Sequence, residues 1–104
     1  MNKSIKITSE ANGLQFIEID NSLAVARIAL QGAHVDWWRP RSAKHDVLWL
    51  SSNARYESGR SIRGGVPICW PWFGKHPTDD SFCVHGFARV IPWKLLESSQ
   101  LKNG

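Results

Sequence analysis

The chain has 104 residues, of which 42% are hydrophobic and 21% charged, with six tryptophans and a formal net charge of +4. This allows one small folded domain, spanning 1–104, and excludes a multidomain or disordered protein. The charge favours anionic partners, but it is scattered and forms no Lys/Arg run, so a few arginines around one small anion fit better than a nucleic-acid-tracking surface.

The N-terminal stretch "MNKSIKITSEANG" has no apolar signal region, and no run approaches a membrane span. The reading is a cytoplasmic chain without membrane or nucleic-acid contacts. Leu14–Asp20, "LQFIEID", is rich in β-branched and aromatic residues and ends at a turn-forming Asp20-Asn21 pair, as a strand does. Ser22–Leu30 contains alanines that suit a helix, but it is short for one, so it is assigned as a strand. In Ala33–Trp38, Ala33, Val35 and Trp37 alternate with His34, Asp36 and Trp38, a third strand pattern. Pro40 turns the chain, and Val47–Ser51 is expected to return as a hairpin strand. Residues 53–63 read as loop. Phe87–Ser98 is expected to be extended, with Pro92 at an edge or bulge.

No segment carries a helical stripe of useful length. The fold class is all-β, a sandwich or barrel. A sheet stopped at "SSQLKNG" would leave open edges, which predicts a missing remainder or self-association.

The chemistry concentrates between Arg63 and Arg89. In Arg63-Gly64-Gly65, glycines allow close backbone approach and a guanidinium can fork onto a phosphate; a plain turn with a solvated arginine is the simpler reading. Pro67 and Pro71 prevent a regular central strand. Trp70, Trp72 and Phe73 could therefore wall a pocket or plug one end of a sandwich. His76 is expected in solvent and Asp79-Asp80 in a solvated turn. His85 can act as acid, base or donor near neutral pH, and on a strand Arg89, four residues later, would share its face. Cys69, His76, Cys83 and His85 match no zinc-site spacing, so no metal is expected. Cys83 and His85 lack a third group that would orient a nucleophile. Two cysteines are too few for a disulfide scaffold and read as reduced thiols.

Taken together, "SIRGGVPICWPWFGKHPTD" and "HGFARVIPW" resemble the hexose-6-phosphate mutarotases (glucose-6-phosphate 1-epimerases) of the aldose 1-epimerase family. Upstream, "GAHVDWWRP" and "DVLWLSSNARYESGRSIRGG" are similar to that family's N-terminal strands, so the likeness runs from about Gly32 to Trp93. The resemblance implies a galactose-mutarotase-like β-sandwich with its sugar site on a concave sheet face. It also implies cofactor-free interconversion of the α and β anomers of a hexose 6-phosphate. By the same resemblance Arg63 and Arg89 contact the substrate and His85 hydrogen-bonds near the sugar oxygens. Some members carry a glutamine where this chain has Val84.

The family's catalytic histidine and glutamate lie downstream, and none of His34, His45, His76, Glu57 or Glu97 matches them. The expectation is the N-terminal third of such an enzyme, given β-sandwich domains of ~200–250 residues. This third would hold binding residues without the proton-transfer pair. The alternative is a non-catalytic carbohydrate-binding module for a phosphorylated sugar.

Overall fold

Four antiparallel strands form one meander in the computed structural model, which describes residues 4–102 and 104. Met1–Lys3 and Asn103, parts of the terminal stretches read above, lie outside the described residues. The strands are β1 (Ile5–Ser9), β2 (Gln15–Asp20), β3 (Ala24–Ala29) and β4 (His34–Pro40), in the order β1-β2-β3-β4. The three strands read between Leu14 and Trp38 are present, and the class is all-β. β1 was not foreseen, and it adds the open edge.

Local chemistry sets each turn. Asn21 Oδ1 accepts the Leu23 and Ala24 amides at 2.9 and 3.0 Å, an Asx turn that reverses the chain from β2 into β3. Between β3 and β4, Gly32 and Ala33 both take positive φ. The β3–β4 register then slips between Arg27 and Ile28, so that Arg27 faces Trp37 and Ile28 faces Val35. Asp36 is the extra residue of this bulge. A bulge re-aims side chains, and here the buried residues are His34 and Asp36, only 0% and 1% exposed. His34 pairs with Ala29 on the Phe16 face, and Asp36, two residues on, follows it.

One sheet face carries Phe16 and Ala29, opposite one another in register, with Ile62 packed on them and Leu14, Ala54 and Tyr56 around them. Burying Phe16 contributes roughly 2–3 kcal/mol. The core is small because its lid is the irregular segment 53–63 and not a second sheet. The other face presents Ile5, Ile7, Ile17, Ile19 and Ile28, and of these only Ile17 is fully buried. A sheet apolar on both faces needs a layer on each. The radius of gyration is 15.1 Å, against about 13 Å for a compact chain of this length.

Two expected strands take another form. Val47–Ser51 is not a strand: only Leu50 makes a bridge, to Gly64, and Val47 N–H donates to the Trp38 carbonyl at 3.0 Å. The sheet edge there is met by scattered single bridges, with Val35 pairing Val66. Phe87–Ser98 is not a continuous extended run either. Ala88–Val90 forms a 3-10 turn, after which Pro92 bridges Gln31. Pro92 cannot donate to a ladder, so Trp93 N–H makes the neighbouring bond, to the Leu30 carbonyl at 2.8 Å.

Candidate functional site

Arg63, His85 and Arg89 line one cavity of about 600 Å³, together with Trp49, Phe73 and Val84. The chain brings them there by bends. Gly65 sits at φ +67, and a Cβ on it would strike the Val35 carbonyl and the His34 ring. Only glycine lets the Arg63 turn lie so close to β4. The buried His34 Nε2 donates to the Gly64 carbonyl at 2.5 Å, which locks that turn from below. The two-glycine motif thus reads as more than a solvated turn.

His85 and Arg89 do not share a strand face. His85 has φ +66 and Arg89 lies in the 3-10 turn, so they meet through a tight reversal at Gly86. Gly86 is parallel-bridged to Trp70, and the Trp70 carbonyl accepts from Phe87 and Ala88, both at 3.1 Å. His85 Nδ1 accepts the Gly74 amide at 2.9 Å, while its own amide donates to the Gly74 carbonyl at 2.8 Å. The neutral ring therefore carries its proton on Nε2, as a donor. Phe73, 80% exposed, lies 4.7 Å from the His85 ring. The Arg89 guanidinium donates to the Val84 carbonyl at 2.8 Å, and its Nε is buried without a partner.

Trp70 and Trp72 stand outside this cavity. Trp70 is exposed and edge-on to Phe87. Trp72 donates to the Cys83 carbonyl at 2.9 Å and packs with His76, Phe82 and Phe87. His76 is half-buried. Its ring is edge-on to both Trp72 and Phe82, and its Nδ1 accepts the Thr78 and Asp79 amides. Asp79 lies in an exposed turn as read, its pKa lowered by hydrogen bonds from the Ser81 hydroxyl and amide. The cysteines are free; Cys69 lines the cavity and Cys83 contacts the Gly86 carbonyl.

The residues that hold the site in place were not legible in the sequence. Asp36, fully buried, is gripped by Arg27 and accepts the Tyr56 hydroxyl at 2.8 Å. The hydrogen bond with Asp36 holds the Arg27 pKa above its ordinary value. Burial, then the contact with Asp36, pushes Tyr56 up to about 12. Buried Gln31 donates to the carbonyls of Glu57 and Arg60 and accepts the Gly59 amide, at 3.0, 2.7 and 2.9 Å. Nothing in the local sequence marks these contacts, which span 20 to 29 residues.

Among the described residues no three His, Cys, Asp or Glu side chains converge as a metal site, and no helix is long and apolar enough to cross a membrane.

The aldose 1-epimerase family pattern matches residues 15–104. A Salmonella typhimurium protein, provisionally named a glucose-6-phosphate 1-epimerase, is 43% identical over 95 residues, covering 91% of this chain and 32% of its own length. An Escherichia coli protein with the same provisional name is 48% identical over 91 residues, covering 88% of this chain and 30% of its own. The crystal structure of a provisionally assigned mutarotase (YeaD) from Salmonella typhimurium superposes with a TM-score of 0.84 at 41% identity, over 91% of this chain and 31% of that one. The chain thus spans about a third of the length of these relatives, and its strands take the fold of a mutarotase. On the match over residues 15–104 and these identities, the chain belongs to the aldose 1-epimerase family.

Proposed function

We propose that the chain carries the sugar-phosphate-binding part of a glucose-6-phosphate 1-epimerase, a cofactor-free enzyme that interconverts the α and β anomers. One observation carries this reading: Arg63 from one segment and His85 and Arg89 from another line one cavity. Arg63 and Arg89 offer charge-assisted donors to phosphate oxygens. The His85 Nε2–H offers a donor to a sugar oxygen, and the exposed ring of Phe73 offers an apolar face to the sugar.

Anomerisation needs a base for the anomeric hydroxyl and an acid for the ring oxygen; the ring opens, C1 rotates and the ring recloses. No carboxylate lines the cavity among the described residues, so the role supported here is binding and orientation. With this reading go a cytoplasmic location and self-association through the open edge of β1.

Titration calorimetry with glucose 6-phosphate and with glucose tests the reading. Saturable binding of the phosphate ester that is weakened in Arg63→Gln and Arg89→Gln is expected. Equal affinity for the two sugars, or none for either, would overturn it.

A further inference from the structure

A second cavity, of about 760 Å³, adjoins the first and shares Trp49, Ser61 and Arg63 with it. Its remaining wall brings Arg55 and Arg60 together with Asn53. We infer that Arg55, Arg60 and Arg63 form a second anion subsite, one that takes a phosphate dianion beside the Arg63–His85–Arg89 cavity.

Three features support this. The first is charge. Arg60 pairs with Glu57 at 3.0 Å, while neither Arg55 nor Arg63 has a carboxylate partner among the described residues. Three guanidinium groups against one carboxylate leave two positive charges around one cavity. Like charges held together without a counter-ion repel, and a dianion removes that repulsion while accepting forked N–H donors.

The second feature is rigidity. The segment that presents Arg55 and Arg60 has no regular secondary structure, yet buried polar groups fix the stretch between these arginines. Tyr56, next to Arg55, is bonded to buried Asp36. Gln31 holds the Glu57 and Arg60 carbonyls and the Gly59 amide. A solvated loop needs no buried side chain to satisfy three of its backbone groups. A loop that must present cations at fixed positions gains from it, because less ordering entropy is lost on binding.

The third feature is the wall chemistry. Asn53 and Ser61 add neutral hydrogen-bonding groups, and exposed Trp49 borders both cavities. The first cavity is lined by Pro67, Phe73 and Val84, which suit a sugar face. The second has Val90 as its one aliphatic residue. The occupant is accordingly a phosphate group, either as the free ion or as a second phosphoryl group on a sugar held at His85 and Arg89. The subsite itself does not rest on the epimerase reading; only the second of these sources does.

The test is calorimetric titration of the 104-residue chain with inorganic phosphate. The Arg55→Gln/Arg60→Gln pair should weaken phosphate binding about tenfold or more, the loss expected for removing two charge-assisted donors. Because Arg63 and Arg89 can also take inorganic phosphate in the other cavity, the pair is compared in the Arg89→Gln background, where saturable phosphate binding should persist, since Arg89 lines only that other cavity. The Arg55→Lys/Arg60→Lys pair keeps the charge and should retain most of the binding, which guards against a misfolded glutamine variant. Tighter binding of a hexose bisphosphate than of its 6-phosphate, lost in the glutamine pair, assigns the site to a second phosphoryl group. Equal binding assigns it to the free ion.

Absence of saturable phosphate binding to the wild-type chain overturns the subsite. So does phosphate binding that Arg89→Gln abolishes, or that the Arg55→Gln/Arg60→Gln pair leaves unchanged in the Arg89→Gln background. None of these results touches the glucose 6-phosphate against glucose comparison, so the two readings fail separately.

Discussion

The Tyr56 hydroxyl donates to Asp36 Oδ2 at 2.8 Å, joining an irregular loop to the bulge of β4. On its other side the carboxylate takes the Arg27 guanidinium, which lies over the Phe16 ring at 4.2 Å from its centroid. One buried charge therefore ties together β3, β4 and the loop, over the core residue Phe16. It also holds the backbone that carries Arg55.

Asp36→Ala should be among the most damaging single changes. It strands the quarter-exposed Arg27 guanidinium and leaves the Tyr56 hydroxyl without its acceptor. Breaking a buried pair by removing one partner costs about 3 kcal/mol or more, a large share of what so short a chain can hold. Tyr56→Phe, which removes one hydrogen bond, should cost about 1 kcal/mol. Urea unfolding followed by circular dichroism measures both, and an Asp36→Ala loss no greater than that of Tyr56→Phe contradicts the arrangement.

The same network sets an alkaline response. Tyr56 is raised from 10.0 to about 12, so its neutral form is favoured in the folded state. Its contribution is complete below pH about 10 and is lost as pH rises from there through about 12. Unfolding midpoints measured across that window should fall more steeply for wild type than for Tyr56→Phe. Parallel profiles would place no titrating hydroxyl in the network.

Gln31→Ala removes three hydrogen bonds to residues 57–60 at once. Local opening of that loop should become easier while the sheet persists. Trypsin cleavage after Arg60 should then quicken by about tenfold or more. Unchanged cleavage would mean that the loop is held by other contacts.

Gly65→Ala should unseat the Arg63 turn. It places a side chain at φ +67 and drives its Cβ into the Val35 carbonyl and His34. A loss of at least about 2 kcal/mol is expected, with glucose 6-phosphate binding falling alongside it. Thermal melts paired with calorimetry check this, and full binding in a stable variant would show that the turn does not position Arg63.

The proposed binding role predicts no acceleration of anomerisation by this chain. The cavity holds His85, a donor through Nε2, and no carboxylate among the described residues. Decay of optical rotation from pure α-glucose 6-phosphate should match a heat-treated control. A rate above that control would mean that an acid and a base are present after all.

Much of the outline was legible from residue patterns. Gln15–Asp20, Ala24–Ala29 and His34–Pro40 fall where β-branched, aromatic and alternating residues placed strands. The Asn21 turn and the Gly64–Gly65 bend follow from side-chain chemistry a few residues in range. Val47–Ser51 has the composition of a strand but makes a single bridge, from Leu50 to Gly64, because a strand needs a partner as well as a propensity. His76 reads as polar in sequence, yet two aromatic rings cover part of it and leave it half-buried.

The class, three of the four strands and the candidates Arg63, His85 and Arg89 are readable from residues alone, since all rest on short-range periodicity or on a recognisable motif. Only the tertiary structure decided that these three line one cavity while Trp70 and Trp72 stand outside it. It also decided that Gln31, His34 and Asp36 are buried to hold the binding loops. The physical reason is range. Gln31, His34 and Asp36 take partners 20 to 30 positions away, where no local pattern reaches.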